Sequence, residues 1–500
     1  MRRRVTRVRS LSFTGRAIAL ALTLFACNDA SDPGGPSPEA AAEGLSLDRG
    51  GRGNGHGTGN ANAGGAWAPP FSTPIVALHL NLLPDGRVLT WGHAGVPYIW
   101  NPENGTFSAA PSPVLLFCAG HAFLPDGRLF VTGGHQSDHI GLRAATIFDY
   151  RTNTWSSSSQ MARGRWYPTN TVLPNGDVLT MSGNDDIDGS LVRVHEVWSA
   201  TGNSWRQLTG AEMELPSYPR TFVAPNGKVF YAGEALATGY IDPAGAGQWQ
   251  PLGFRSGGTE YGSAVMYEPG KVLYTGGGWG PTSISETIDL SEPAPAWRPT
   301  APMSVPRKHH TATMLPTGEV LVTGGTRGEG FNNEAAAELS AEIWTPGTGM
   351  WRTLASARTP RAYHGAALLL QDGRVLFAGG GDASGAIDHR DAEIFSPPYL
   401  SLGKRPKITS GPVSASYGQT IRVGTKEANK IASVSLIRLG SVTHAFDQNQ
   451  RFASLSFRLA GAGLEVTMPA SANLAPPGHY MLFVVSGDGV PSVAHVLRIG

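Results

Sequence analysis

The sequence predicts an all-β protein in two parts, and three observations predict it. Gly 65 and Pro 37 in 500 residues, with charged residues at only 15%, favour turns and short strands over long charged helices. One strand–turn–strand phrase recurs seven times between residues 66 and 400. From 401 onward that phrase stops, and short alternating strands continue to the last residue. Five hundred residues also exceed one ordinary core, so two folded domains are expected.

The chain begins with MRRRVTRVRS, a basic stretch, followed at 17–26 by AIALALTLFA, an apolar run too short to span a bilayer. That pairing reads as a signal peptide over 1–27. The run ends LFAC at Cys27, which resembles a bacterial lipobox, so the protein is expected to be exported, as a cell-envelope lipoprotein anchored through Cys27 or as a secreted protein. Residues 28–65 are Gly, Pro, Ala and Asn with scarcely an aromatic, the composition of a disordered tether. With Cys27 so assigned, Cys118 is the cysteine of the folded part and no disulfide is expected.

The phrase reads LLPDGRVLTWGH from Leu82, FLPDGRLFVTGGH from Phe123, VLPNGDVLTMSGN from Val172 and VAPNGKVFYAGE from Val223. It continues as MYEPGKVLYTGGG from Met266, MLPTGEVLVTGGT from Met314 and LLQDGRVLFAGGG from Leu369. Each is a hairpin whose turn glycine supplies φ > 0. The turn glycines, Gly86, Gly127, Gly176, Gly227, Gly270, Gly318 and Gly373, are 41 to 55 residues apart, the period of propeller blades. Later aromatics at Phe107, Trp155, Trp205, Trp249, Trp297 and Trp351, with the small-residue hairpin endings, are the kelch pattern. Residues 66–400 are therefore expected to form a seven-bladed kelch-type β-propeller.

Nine residues before each turn glycine stand Ala77, Cys118, Tyr167, Tyr218, Tyr261, His309 and His364. Equal offset means an equivalent place in each blade, so these side chains should meet at one mouth of the channel. Six of the seven are metal-ligand or redox-capable types, which a hydrophobic core would not select. The structural reading stands beside this one: kelch repeats place R-x-x-H or R-x-Y-H phrases here for internal hydrogen bonds, and MARGRWY, SVPRKHH and TPRAYH fit. A cysteine is not part of that habit.

Residues 401–500 carry RPKITSG, QTIRVGT, ASVSLIRLG, ASLSFRLAG, LEVTMP and YMLFVVSGDGVPSVAHVLRIG, short alternating strands expected to build an immunoglobulin-like β-sandwich. The formal net charge of +1 gives no electrostatic case for nucleic acid.

Five dispersed runs, FCAGHAFLPDG, RWYPTNTVLPNG, RAYHGAALLLQDGRV, SVTHAFDQNQR and PPGHYMLFVVSGDGVPSVA, make residues 66–500 similar to the galactose oxidase and glyoxal oxidase group of copper radical oxidases. The resemblance implies one copper per chain, held by His364, His444 and an equatorial Tyr167, with Tyr363 axial; imidazole and oxygen donors suit Cu(II). It further implies a thioether joining Cys118 to a ring carbon of Tyr167, a protein-derived radical cofactor that stores the second oxidising equivalent. Tyr363 would be the general base and Tyr167 the hydrogen-abstracting radical, acting on a small aldehyde or primary alcohol, a carbohydrate included, with O2 reduced to hydrogen peroxide. Because Tyr363 and His364 are adjacent, both can face one metal only where the backbone is irregular.

The chain also departs from galactose oxidase. SGNDDID at 182–188 lacks that enzyme's stacking tryptophan, and Trp166 precedes Tyr167 instead, as in the glyoxal oxidase branch. Arg220 is near the sugar-binding arginine but offset. Trp166, Tyr218, Tyr261, His309 and His310 are the candidate substrate contacts, and the protein is expected to be a monomer. The competing reading is a non-catalytic kelch module that binds surface glycan or protein; it would predict losses among the five site positions, and Cys118, Tyr167, Tyr363, His364 and His444 are all present.

Overall fold

The computed structural model describes residues 64–93, 95–383 and 386–500. The signal segment with Cys27 lies outside them, as does the tether except Gly64 and Gly65. The chain is all-β, built of many small antiparallel sheets. Among the described residues no helix is long and apolar enough to cross a membrane.

Each repeated phrase forms the first two strands of a sheet, with the glycine turn between them. In the second sheet Gly120–Phe123 pairs with Leu129–Thr132, then Ala145–Asp149, then Thr154–Ser157. The same order recurs in the sheets starting at Thr169–Val172, Arg220–Val223, Ser263–Glu268 and Thr311–Met314. The first strands of the second, third and fourth sheets are buried along their length, and from the second sheet onward each first strand contacts the first strand of the next sheet. The seventh, Gly365–Leu369, contacts His79–Leu82 of the first sheet.

The seventh sheet takes its outer strand from the other end of the chain. Ala66–Trp67 pairs antiparallel with Asp391–Ser396. Trp67 thereby supplies the seventh aromatic of a set whose other six follow their own hairpins. Its indole N–H donates to Ala355 O at 2.9 Å, as Trp155 donates to Ala110 O, Trp205 to Ser159 O and Trp351 to Ala301 O, each reaching the preceding sheet.

The R-x-x-H phrases carry structural arginines. Arg165 pairs with Glu196 at 2.9 Å, Arg307 with Glu342 at 2.6 Å, and Arg361 with Asp391, all three guanidinium groups being buried. The structural reading holds for these arginines, while the neighbouring Tyr and His residues have other surroundings.

After residue 400 two further sheets share one apolar core. Thr420–Thr425 and Gly463–Thr467 belong to a four-stranded sheet; Ile431–Arg438, Gly478–Ser486 and His495–Ile499 to a five-stranded one. Ile421, Val423 and Val466 of the first meet Val434, Leu482 and Leu497 of the second. From this region a hairpin, Ser441–Thr443 and Phe446–Asp447, adds to His79–Leu82 of the first sheet, with Leu80 opposite Val442. The residues after it fasten to other first strands: Gln448 Oε1 accepts from the amides of His121 and Asn170, Gln450 Oε1 from Met266, and Arg451 donates to Val223 O. The hairpin is thus held among five different sheets.

Candidate copper site

Six of the seven equal-offset positions share one backbone state. Cys118, Tyr167, Tyr218, Tyr261, His309 and His364 have φ of 61, 68, 48, 57, 61 and 66°, in the left-handed region; Ala77, the seventh, does not. Such residues cost about 1–3 kcal/mol each when they are not glycine, and persist where the surroundings fix them. Here each precedes a first strand, and backbone bonds run from one to the next: Tyr167 N–H to Cys118 O at 2.9 Å, Tyr218 N–H to Tyr167 O at 2.8 Å, and His309 N–H to Tyr261 O at 2.8 Å.

This kink resolves the problem of adjacent ligands. With His364 left-handed, the rings of Tyr363 and His364 lie together, centroids 3.8 Å apart, instead of on opposite faces. His444 reaches the same place by a different device. It and Ala445 are the two central residues of the inserted hairpin, with φ of 45° and 65°, the two positive values of a type I′ turn made without glycine or asparagine.

Four polar atoms converge. Tyr167 Oη is 2.5 Å from Tyr363 Oη and 3.4 Å from His364 Nε2. The His444 ring lies 4.5 Å from Tyr167 and 4.6 Å from His364, and its buried Nε2 has no hydrogen-bond partner. His364 Nδ1 donates to Gly381 O at 2.6 Å and His444 Nδ1 meets Thr443 Oγ1 at 2.7 Å, so both Nε2 atoms are left to face the cluster. Burial holds His444 below, and His364 at about 3 rather than, the ordinary imidazole value, while it raises the Tyr167 phenol, with Cys118 and Tyr363 adding to that rise. Two neutral imidazoles and two buried phenols fit a divalent cation, which would offset the charge of phenolates formed here. Among the described residues no three His, Cys, Asp or Glu side chains gather as a metal site; this donor set is half phenol.

Cys118 is fully buried in an apolar cluster with Leu78, Phe117 and Trp166, against which Tyr167 packs. Trp166 lies flat on Tyr167 and donates its indole N–H to His135 Nδ1 at 3.1 Å. Tyr167, Tyr218, Tyr261, His309, Tyr363, His364 and His444 line a cavity of about 50 Å³. The same burial that raises Tyr167 raises Tyr218 and Tyr261 and holds His309 at about 3.

His310 is placed elsewhere. It follows the left-handed His309, which turns it away, so its ring is buried against Gly276 and does not line the cavity. Three site neighbours were not legible from the repeat. Glu234 lines the wall with Arg220, the two ion-paired at 2.5 Å, and accepts the Tyr261 N–H. Phe331 stands 4.5 Å from the Tyr363 ring, and Asn332 Oδ1 accepts the Tyr363 N–H at 3.3 Å. The loop GEGFNNE gives one signal, an aromatic isolated among glycine and polar residues.

Comparison with known proteins places the chain among copper oxidases. Residues 280–397 match the family description "Glyoxal oxidase N-terminus" and 405–499 match "Galactose oxidase-like, Early set domain". A galactose oxidase from Gibberella zeae is 29% identical over 87% of this chain and 70% of its own. An aldehyde oxidase, GLOX, from Vitis pseudoreticulata is 28% identical over 77% of this chain and 82% of its own. A solved structure, described as a novel fungal alcohol oxidase with catalytic diversity among the AA5 family in complex with copper, superposes with a TM-score of 0.80 at 26% identity, covering 87% of this chain and 99% of that one. The chain belongs to the galactose oxidase and glyoxal oxidase family of copper radical oxidases.

Proposed function

We propose that this protein oxidises aldehydes, as their hydrates, or primary alcohols with O2, releasing hydrogen peroxide, at a copper held by Tyr167, Tyr363, His364 and His444. The observation that carries this is the convergence of two phenol oxygens and two imidazole Nε2 atoms in one buried cavity, one of those nitrogens having no other partner. Bound there, copper would supply one-electron redox chemistry beside the substrate oxygen.

The chain's own residues do the rest. Tyr363 Oη, at the cavity, accepts the proton of the substrate hydroxyl. Tyr167 Oη, 2.5 Å away, takes the hydrogen atom from the substrate carbon. For a primary alcohol the balance is R-CH2OH + O2 → R-CHO + H2O2; for an aldehyde hydrate it is R-CH(OH)2 + O2 → R-COOH + H2O2. The Cys118–Tyr167 thioether belongs to this proposal: an S–H and a ring C–H are lost, one S–C bond forms, and O2 takes the two hydrogens as H2O2. Packing of Cys118 in the same cluster as Trp166 and Tyr167 supports it. The cavity's arginine is neutralised by Glu234, which favours a neutral substrate over an anion.

The seven sheets are read as a closed kelch-type propeller over 66–400, and the last two as an immunoglobulin-like sandwich over 401–500. Contact of the seventh first strand with His79–Leu82, and the outer strand lent by Ala66–Trp67, support closure. Export through the 1–27 segment, with lipidation at Cys27 or plain secretion, and a monomeric state complete the reading.

The deciding experiment is peroxide release from copper-loaded protein against a panel of aldehydes and primary alcohols, with copper-free protein as control. No release from any of them would overturn the proposal.

A further inference from the structure

We infer that His79 and His121, two buried imidazoles outside the copper-ligand set, are positioning residues that tie the Cys118 turn to the hairpin carrying His444 through one directed run of hydrogen bonds.

The direction follows from its ends. The Cys118 backbone N–H donates to His79 Nε2 at 3.3 Å. That nitrogen is therefore an acceptor, and the ring proton sits on Nδ1. His79 Nδ1 donates to His121 Nε2 at 3.0 Å, which in turn puts the His121 proton on its own Nδ1. His121 Nδ1 donates to Ser441 Oγ at 2.6 Å, across 320 residues of sequence. The Ser441 hydroxyl passes its proton to Asn81 Oδ1 at 2.7 Å, and Asn81 is oriented by its amide nitrogen donating to Leu89 O at 3.3 Å. Every link fixes the next, and a second proton on either imidazole would set two N–H groups against each other.

The surroundings hold these rings in one pose. Trp91 stacks on His79 at 4.7 Å and 14°, and meets His121 edge-on at 5.1 Å. Its indole N–H donates to Leu116 O at 2.9 Å, so the same tryptophan also grips the turn before Cys118. Both imidazoles are fully buried. Their reach matches a need: Cys118 and His444 are both left-handed, at φ 61° and 45°, and come from distant parts of the chain. Backbone states that strained persist only when neighbours over-determine them, and this run is the bridge that bears on both turns.

The inference rests on reading Cys118 and His444 as site residues, but its test uses copper-free protein and no turnover, so its failure is distinguishable from failure of the oxidase reading. Amide hydrogen exchange is followed at 116–119 and 441–445 in wild type, His121→Phe and His121→Asn. Phe fills the ring volume without either bond; Asn can place its amide nitrogen near the Nδ1 position, toward Ser441, but has no atom that reaches the Nε2 position where His79 donates. His121→Phe should speed exchange at both segments by roughly ten- to hundredfold, the cost of orphaning buried partners. His121→Asn should restore 441–445 and leave 116–119 fast, a split that loss of packing alone would not produce. Wild-type protection at both segments in the Phe variant, or equal loss in both variants, overturns the inference. Should neither variant fold, the nitrogen-15 spectrum of histidine-labelled wild type decides: the buried His79 and His121 rings are each expected to carry the proton on Nδ1, as His364 does, and an Nε2–H or doubly protonated ring at either position refutes the run.

Discussion

The indole of Trp166 lies flat against the phenol of Tyr167, with ring centroids 3.7 Å apart and planes 10° from parallel. Neighbours in an ordinary strand face opposite sides; these two stack because Tyr167 is left-handed. Tyr363 and His364 stack by the same rule, at 3.8 Å with His364 left-handed. One backbone device, repeated in successive sheets, thus builds both the donor pair and the aromatic cover.

Trp166→Leu tests that cover. The variant should bind copper and form the cross-link, since Trp166 supplies no donor atom to the cluster. The oxidised state of Tyr167 should decay faster, by up to about tenfold, because an aromatic pair is worth about 0.5–1.5 kcal/mol beyond its burial. The readout is the lifetime of the radical's optical signal after oxidation. A wild-type lifetime would show that the stacked indole does not stabilise it.

Much of this site was legible because repeats make position comparable. Counting from the turn glycines brought out Cys118, Tyr167, Tyr218, Tyr261, His309 and His364 as equivalents, and five of these line one cavity, with Cys118 packed behind Tyr167. His310 was grouped with them by adjacency, and adjacency fails where the preceding residue is left-handed. His444 carries no local signal of its turn, because His-Ala occupies a type I′ loop that normally calls for Asn-Gly. Only the family resemblance pointed to it. Trp67 was missed as the seventh aromatic since the sheet it completes lies at the other end of the chain. Glu234, Phe331, His79 and His121 depend on contacts between sheets, which no period within the sequence encodes.

The buried arginines allow a prediction about stability alone. Arg307 and Glu342 are both fully buried and 2.6 Å apart. Removing one partner leaves a buried charge uncompensated, so Arg307→Leu should lose about 3–5 kcal/mol. Replacing both, as Arg307→Met with Glu342→Leu, should cost less than Arg307→Leu alone. Denaturant unfolding of the three proteins checks the order. If the double variant proved less stable than the single one, Glu342 would be stabilising through its other bond, accepted from the Ser304 N–H at 2.7 Å, and not mainly an uncompensated charge once Arg307 is gone.

His364→Ala and His444→Ala should each lower copper affinity sharply, since each removes one Nε2 that faces the cluster. The His444 variant is the more searching test. That residue arrives on a hairpin from beyond residue 400, joined to the first sheet at Leu80 and Val442. Copper content after dialysis against a weak chelator gives the comparison with wild type. Wild-type retention in both variants would remove the imidazoles from the ligand set.

The last prediction separates the two tyrosines, whose hydroxyls are 2.5 Å apart yet are assigned different work. Tyr363→Phe removes a phenol oxygen but leaves Tyr167, His364, His444 and the Cys118 cluster intact, so copper should still bind and the Cys118–Tyr167 thioether should still form. Turnover should nevertheless fall by roughly 10²–10⁴-fold, the usual effect of removing a general base, because the phenol oxygen assigned to take the substrate's hydroxyl proton is gone. Tyr167→Phe should instead abolish both the cross-link and the radical's optical signature. Peptide mapping distinguishes the cases: wild type and Tyr363→Phe should each yield one joined Cys118–Tyr167 peptide two hydrogens lighter than its parts, and Cys118→Ala and Tyr167→Phe should yield none. Near wild-type peroxide production by Tyr363→Phe, with Tyr167→Phe inactive, would move the base elsewhere in the cavity. Activity in both would mean that neither phenol takes part, and the radical mechanism would fall with them.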